Sequence, residues 1–259
     1  MVLENVIPRI KKNIFVRKED NNVTVLHHVA LGADFLNSTS SEIFDLIDGK
    51  NNCKEIFTRW VMNYPTLNEE DLVKDFENTM WTLKNLGFIL WKGEIKMKYE
   101  KNNVVGEDLF EKTSKFYLRF LGKPNEYSEN SYLGTTQKAY FIVPNIRTRS
   151  FYAQENYFVS IENGNITSAI SLQGLNLTET TQTITSFLAL ESKEDDLIKL
   201  MSYVAKLLKS MGCFKMKIIV KEDERDILEP KIARLGFKYE TTLKNEFKNK
   251  DCIYYGLML

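Results

Sequence analysis

The strongest constraint on the fold is the order in which the hydrophobic period changes from residue 157 onward. Apolar and polar residues alternate on both sides of Asn163-Gly164, which is the pattern of a β-hairpin. Between residues 192 and 211 the apolar positions recur every three or four residues, which predicts a long helix that Ser192 with Asp195 can cap and that Gly212 ends. In chain order we predict strands at 157–162, 166–172 and 181–190, that helix, a strand at 215–220, a short helix at 230–235, and strands at 238–247 and 252–259. Before them, a short strand is expected at 139–143, ended by Pro144. This order predicts a mixed α/β domain.

Composition sets further limits. The 259 residues suffice for two domains, and a hydrophobic content of 43% allows each domain a core. The net charge is zero, which gives no general attraction to nucleic acid or to an anionic membrane. No apolar run reaches the roughly 18 residues that a membrane-spanning helix needs. Cys53, Cys213 and Cys252 lie far apart without metal-type spacing, so we expect no metal and a reducing, cytoplasmic location.

Residues 1–92 have the pattern of a separate domain. Two short strands at 14–17 and 23–28 precede an extended piece at 33–36. Thr39 and Glu42 have the spacing of a capping box for a first helix, and Asn52 is the expected cap of a second. A third helix follows from about residue 69 to residue 86, and a short extended segment at 88–91 comes after it. This order predicts a winged helix-turn-helix, so the chain as a whole is expected to be α+β.

Two segments of this domain resemble a known family. Residues 35–49, FLNSTSSEIFDLIDG, and residues 83–89, LKNLGFI, are similar to the PqqD-like recognition elements of ribosomal peptide (RiPP) biosynthesis. The resemblance implies that a precursor leader peptide adds to the sheet as a strand and lies against the third helix. The residues implied as peptide-binding are Ala33, Asp34, Phe35, Leu36, Lys74, Asn78, Trp81 and Asn85.

Trp81 has two interpretations. Lys74, Asn78, Trp81 and Asn85 recur at helical spacing, and we expect them on a face away from the core stripe. Trp81 is then a large ring that anchors the peptide. The alternative is that the ring packs at the margin of the core.

Winged helices also bind DNA, and the charge argues against that function here. Residues 1–92 contain 11 Lys or Arg and 13 Asp or Glu. Affinity for DNA comes mainly from a basic face that neutralises phosphates. We therefore expect no nucleic-acid partner.

Residues 93–259 resemble the GNAT acyltransferase superfamily. The resemblance rests on the order of elements, on the hairpin FVSIENGNI at 158–166, and on ARLGF at 233–237. It implies transfer of an acyl group from acyl-CoA to an amine. It also implies that the backbone of Leu188, Ala189 and Leu190 holds the pantetheine arm between two strands that splay apart.

The sequence departs from the family pattern in two places. The loop before the long helix reads ESKEDD at 191–196 and has no glycine to let its backbone approach a phosphate. Ile232 stands where many members have a tyrosine that acts as a general acid. Lys193 is the only cation of the loop, and it is either a phosphate contact of the cofactor or a solvated lysine at the helix start. Glu191 is either a general base for the amine or a surface charge. We therefore expect acyl-CoA to bind weakly.

These observations define one leading hypothesis and two alternatives. The leading one is a RiPP biosynthesis protein that binds a leader peptide and acylates an amine of the core peptide. It would work with a precursor peptide and with other peptide-modifying enzymes as partners. The first alternative is a non-catalytic, leader-binding adaptor with a degenerate GNAT-like domain. The second is a DNA-binding regulator with an effector-sensing domain.

Overall fold

A computed structural model describes residues 1–12, 14–19, 24–28, 32–93, 99–120, 138–174, 180–247 and 250–259. The chain divides into two compact units, Met1–Met97 and Lys98–Leu259. The division predicted from the sequence lies between residues 92 and 93. Within the described ranges, no helix is long and apolar enough to cross a membrane.

In its described residues, unit 1 has three helices and two small sheets. Its elements are β1 (Ile7–Ile10), β2 (Ile14–Lys18), β3 (Thr24–His28), β4 (Gly32–Leu36), α1 (Ser38–Asp45), α2 (Cys53–Val61), α3 (Glu69–Asn85) and β5 (Ile89–Lys92). Strands β2, β3 and β4 form an antiparallel sheet in that order, and β1 pairs with β5. The sequence analysis predicted β2, β3 and the three helices, but it did not predict β1.

The helix caps of unit 1 follow the expected chemistry with one shift of position. The Asn52 side chain accepts from the backbone of Glu55, and Glu55 returns the bond, so the second capping box is complete. The first helix is capped by Asn37, whose side chain accepts from the Ser40 amide. The prediction that Thr39 forms this cap with Glu42 is therefore wrong. Asn37 precedes Thr39 and is itself a preferred cap residue, so the helix begins earlier.

Unit 2 is built on a seven-stranded mixed sheet. Its elements are β6 (Asn102–Val104), α4 (Phe110–Leu118), a 3₁₀ helix (Lys138–Phe141), α5 (Val143–Phe151), β7 (Glu155–Glu162), β8 (Asn165–Gln173), β9 (Thr181–Ala189), α6 (Glu194–Ser210), β10 (Lys215–Lys221), a 3₁₀ helix (Glu222–Glu224), α7 (Arg225–Arg234), β11 (Lys238–Phe247) and β12 (Lys250–Met258). The sheet order is β11-β12-β10-β9-β8-β7-β6. The expected mixed α/β fold of this part is confirmed.

Helices cover both faces of the large sheet. One buried cluster packs α6 and α7 against the sheet and includes Leu200 and Val204. The other packs α4 and α5 against the opposite face and includes Phe116 and Ile146. Seven consecutive residues of β9 are buried, from Gln182 to Leu188, as expected of a strand covered on both faces.

One short segment of unit 2 differs from its prediction. Residues 139–143 were expected to form a strand ended by Pro144. They form instead the end of a 3₁₀ helix and the start of α5, with Pro144 in the first turn of that helix. Proline is tolerated there because the first amides of a helix have no intrahelical partner. A run of five apolar residues does not distinguish a strand from a buried helical turn.

Candidate functional site

Strands β9 and β10 separate in the middle of the sheet. They run parallel and pair from Thr181–Lys215 to Ile184–Ile218. Beyond that pair β9 continues to Ala189 and β10 to Lys221 without mutual pairing in the described chain. The separation coincides with a β-bulge, since Ser171 pairs with Ser186 while Leu172 pairs with Ile184. Thr185 is therefore the extra residue of β9, and a bulge bends its strand and increases the local twist.

A cavity of about 270 Å³ lies at the end of β9, beside the start of α6 and the last turns of α7. Its wall is partly apolar and carries two acidic and two basic side chains. The lining residues are Phe187, Ala189, Leu190, Glu191, Ser192, Glu194, Leu197, Ile198, Lys231, Arg234 and Leu235. Among these described lining residues, the two positive and two negative charges balance.

The loop between β9 and α6 makes a tight turn without glycine. The Lys193 amide donates to the Leu190 carbonyl at 2.9 Å, and Ser192 has a φ of +65°. A positive φ at the third position of such a turn favours glycine, and a non-glycine residue held in an unfavourable backbone region costs about 1–3 kcal/mol. The expected cap by Ser192 is wrong. Lys193 is the N-cap residue, and among the described side chains none makes a capping hydrogen bond to α6.

Most of the charges near the start of α6 are paired. Lys193 Nζ lies 2.6 Å from Glu162 Oε2, and this hydrogen bond raises the pKa of Lys193. Arg234 Nη1 donates to Glu194 Oε2. Asp196 points inward and is paired at 2.9 Å with Lys101 Nζ. Burial by itself raises the pKa of Asp196, but hydrogen bonds from Lys101 and Thr167 bring it below its ordinary value.

Of the residues expected at the donor site, Ala189, Leu190 and Glu191 line the cavity. Leu188 does not, because it packs into the cluster on the opposite face of the sheet. Its backbone remains part of β9. The Leu190 amide already donates to the Thr167 carbonyl at 2.9 Å, so it is not available to a ligand. Lys193 is absent from the lining because it reaches toward Glu162.

Sequence reasoning missed the two cations of the cavity, Lys231 and Arg234. Both belong to the last turns of α7, where positions three and four apart share a helix face. Leu235 follows on the same face, and this spacing is the signal that could have indicated the pair. Burial lowers the pKa of Lys231.

In unit 1, β4 forms one edge of its sheet, so no described strand pairs with its outer side. Successive residues of this strand point to opposite sides. The side chain of Phe35 is 71% exposed, whereas that of Leu36 is 5% exposed and belongs to the core. Asp34 is intermediate, and the side chain of Ala33 lies outside the described set.

The prediction that four residues of α3 lie on a face away from the core is wrong for two of them. Lys74 and Asn78 are exposed, but Trp81 is 8% exposed and Asn85 is 4% exposed. The Trp81 ring packs edge to face against Trp91, with centroids 4.7 Å apart. Packing at the core margin is therefore the correct interpretation of Trp81, since β5 supplies the ring that covers it.

Asn78 lines a polar groove of about 280 Å³ between α3 and the start of α1. The groove begins directly after β4. All of its side chains are polar, and Asp75 is the only charged residue in the described lining. The lining residues are Asn37, Thr39, Ser40, Asp75, Asn78, Thr79 and Thr82.

No metal site or reactive thiol emerges from the described residues. They contain no group of three or more His, Cys, Asp or Glu side chains that could hold a metal ion. Cys53, Cys213 and Cys252 are all buried. Burial raises the pKa of the Cys53 thiol to about 12, which suits a core residue rather than a nucleophile.

No protein-family model matches the chain. No curated protein matches it either. Among solved structures, it is similar to the ribosomal-protein-S5-alanine acetyltransferase of Vibrio fischeri, with 11% identity and a TM-score of 0.47 over 64% of this chain and 97% of that one. It is similar to the aminoglycoside 6'-N-acetyltransferase of Enterococcus faecium, with 11% identity and a TM-score of 0.45 over 61% and 96%. The spermidine N-acetyltransferase of Vibrio cholerae, solved with CoA and spermine, gives 12% identity and a TM-score of 0.45 over 61% and 94%.

Proposed function

We propose that this chain captures the leader of a precursor peptide with unit 1 and transfers an acyl group to an amine of that peptide with unit 2. The observation that carries the proposal is the cavity of about 270 Å³ at the point where β9 leaves β10. A gap between parallel strands exposes backbone amides and carbonyls, and these can bind the amide groups of a pantetheine arm whatever the side chains are.

The topology of unit 2 supports a GNAT-like interpretation. An antiparallel hairpin, β7–β8, leads to β9, a long helix begins directly after β9, and β10 returns parallel to it. This is the order that the sequence resemblance implies. A fold does not carry a chemistry by itself, so the proposal depends on the cavity and its charges.

The cavity offers different chemistry at its two parts. Phe187, Leu197 and Leu235 provide an apolar wall that suits an acyl chain or a pantetheine arm. Lys231 and Arg234 provide the positive charge that a phosphate needs. Glu194 holds Arg234, and the turn at Ser192 presents no glycine, so we expect a donor to be bound mainly through its arm or acyl chain.

The proposed reaction needs a base and a leaving group. An acyl-CoA or an acyl carrier supplies a thioester, whose carbonyl carbon is open to attack by an amine. Glu191 is exposed at the cavity and could take the proton that the amine nitrogen loses as the new C–N bond forms. The released thiolate would take a proton from solvent. Ile232 cannot supply this proton, because its side chain is fully buried and carries no transferable proton.

Unit 1 is proposed to bind the leader peptide along β4. The outer edge of this strand can pair with an extended peptide, and side chains of that peptide then reach the groove that contains Asn78. Because Asp75 is the charge in the described lining of the groove, we expect a peptide with a basic residue at that point. Holding the leader raises the concentration of the core peptide near a tethered site to about the millimolar range.

The adaptor hypothesis remains the second candidate. The observation that favours it is the acidic loop, in which Glu191 and Glu194 border the cavity without a glycine nearby. In this case unit 2 binds no acyl donor and the leader-binding function of unit 1 remains.

Calorimetric titration of the full chain with acetyl-CoA distinguishes the proposed acyl transfer from the adaptor hypothesis. We expect weak but measurable binding. Glu194→Gln should strengthen it roughly two- to fivefold, because one unfavourable charge at a helix start is worth about 0.3–1 kcal/mol. Arg234→Ala should weaken it by a similar factor.

The matched control is Arg225→Ala. Arg225 belongs to the same helix but pairs with Glu229 at 2.9 Å and does not line the cavity. Equal effects of the two arginine variants would contradict the proposed donor position. Absence of binding at millimolar acetyl-CoA would favour the adaptor.

A further inference from the structure

A buried polar network lies on the α4–α5 side of the sheet, beside the β9 bulge. Glu155 is its centre and is only 3% exposed. Arg149 Nε donates to Glu155 Oε2 at 3.0 Å, and Tyr140 Oη donates to the same oxygen at 2.9 Å. Tyr157 is a further donor to it. Burial and the neighbouring Glu155 raise the pKa of Tyr157, so its hydroxyl remains a proton donor.

Such a network is costly unless it is complete. A buried carboxylate loses its hydration, and a fixed cation and several hydrogen bonds are needed to offset that loss. Glu155 has all of these, since four described donors surround its two oxygens. Apolar side chains of the hydrophobic cluster on this face could fill the same volume without a buried charge. We therefore expect the network to have a more specific role than packing.

The fourth donor connects Glu155 to the bulge. Thr185 Oγ1 donates to Glu155 Oε1 at 2.6 Å, and Thr185 is the extra residue of β9. Ser171 Oγ lies 2.7 Å from Thr185 Oγ1 and 2.6 Å from Ser186 Oγ. A bulge allows two consecutive side chains to turn to one side of the sheet. Both bulge hydroxyls are thus held by the same network.

The bulge is also where β9 leaves β10. Ile184, the residue before Thr185, makes the last pair with β10. Phe187 and Ala189, two and four residues after Thr185, line the cavity. The position of Thr185 therefore decides the direction in which the unpaired part of β9 continues.

We propose that Glu155 is a positioning residue for the donor cavity: with Arg149, it holds Thr185 and so fixes the course of β9 along the cavity wall. Its importance for activity depends on the proposed acyl transfer. The geometric claim, that the Glu155–Thr185 bond orders residues 186–190, can be tested without any donor.

Two substitutions of Thr185 test the claim. Thr185→Val keeps the shape and removes the hydroxyl, whereas Thr185→Ser keeps the hydroxyl. Ser114→Ala is the matched control, because Ser114 is a buried hydroxyl of α4 whose hydrogen bond in the described chain goes to the Phe141 carbonyl at 2.7 Å and not to β9. Hydrogen exchange of the full-length variants would be followed at the amides of residues 186–190, with the thermal unfolding midpoint as a measure of overall stability.

We expect Thr185→Val to speed exchange in this segment about tenfold and to weaken acetyl-CoA binding about fivefold or more, since a hydrogen bond to a charged group is lost. Thr185→Ser should restore both values. Ser114→Ala should lower the thermal unfolding midpoint about as much as Thr185→Val does, but it should leave the exchange rate and the acetyl-CoA affinity unchanged. If Thr185→Val and Ser114→Ala behave alike, or if Thr185→Ser does not restore order, Glu155 has no positioning role. A wild-type chain that binds no acetyl-CoA overturns the proposed function, and the exchange data still decide the claim about the bulge.

Discussion

Replacing Arg149 by methionine tests a buried ion pair of unit 2. The side chains of Arg149 and Glu155 are 14% and 4% exposed. Removing one partner of a buried ion pair costs about 3–5 kcal/mol, because the other charge stays buried without it. Glu155 would keep its bonds from Tyr140, Tyr157 and Thr185, so we expect the lower end, about 3 kcal/mol.

Urea unfolding with two probes measures this loss in the correct unit. Trp60, Trp81 and Trp91 all lie in unit 1, so tryptophan fluorescence follows that unit alone. Far-UV circular dichroism also includes unit 2. With a slope of about 2 kcal/mol per molar urea, the transition of unit 2 should fall by about 1.5 M, while the fluorescence transition stays in place.

Arg225→Met is the control for removal of an arginine. Arg225 pairs with Glu229, but both side chains are more than one-third exposed. Such a pair contributes about 1 kcal/mol or less. The reasoning is refuted if Arg149→Met costs no more than Arg225→Met, or if it shifts the fluorescence transition.

Three further predictions follow from other parts of the chain. Trp81→Ala should destabilise unit 1 by about 3 kcal/mol, because the ring is buried against Trp91, and a fluorescence-detected transition that stays in place would contradict this. Lys101→Met should lower stability by about 1 kcal/mol at pH 7, a modest value because Lys101 is half exposed. The folded-state pKa of Asp196 lies below the ordinary 3.8, so its contribution is present above that pH and is lost as the pH falls through the folded value; unfolding curves that differ equally at pH 7 and pH 2 would argue against the pair. The full chain should show no tight, salt-sensitive binding to duplex DNA in a mobility-shift assay, given the acidic balance of residues 1–92.

Trp81 also shows why the peptide-binding residues of α3 could not be assigned from the sequence alone. Helical spacing placed it correctly on α3, but the ring that covers it, Trp91, belongs to β5 and meets it only after folding. Asn78 is therefore the better probe of peptide binding, because it is exposed at the groove and its removal leaves the core intact. A variant of Trp81 would confuse loss of binding with loss of fold.

Local periodicity predicted the strands and long helices well, because each depends on its own residues. The bounds of β7, β8, β9 and α6 agree with the predicted ones to within about two residues. The bulge at Thr185 left no such pattern, since it arises from the register between two strands. Lys231 and Arg234 were missed for a similar reason, because the face of α7 that meets the cavity is set by tertiary packing.

The most direct test of the account is a mass measurement on a peptide that the full chain itself selects. Peptides that bind the chain would be isolated from a displayed random library and extended at the C-terminus by a lysine-containing segment. Each would then be incubated with the chain and millimolar acetyl-CoA. We expect the extension to gain one acetyl group when the selected leader is attached, and none when it is supplied alone. Peptides that bind but are never acetylated would contradict the proposed acyl transfer.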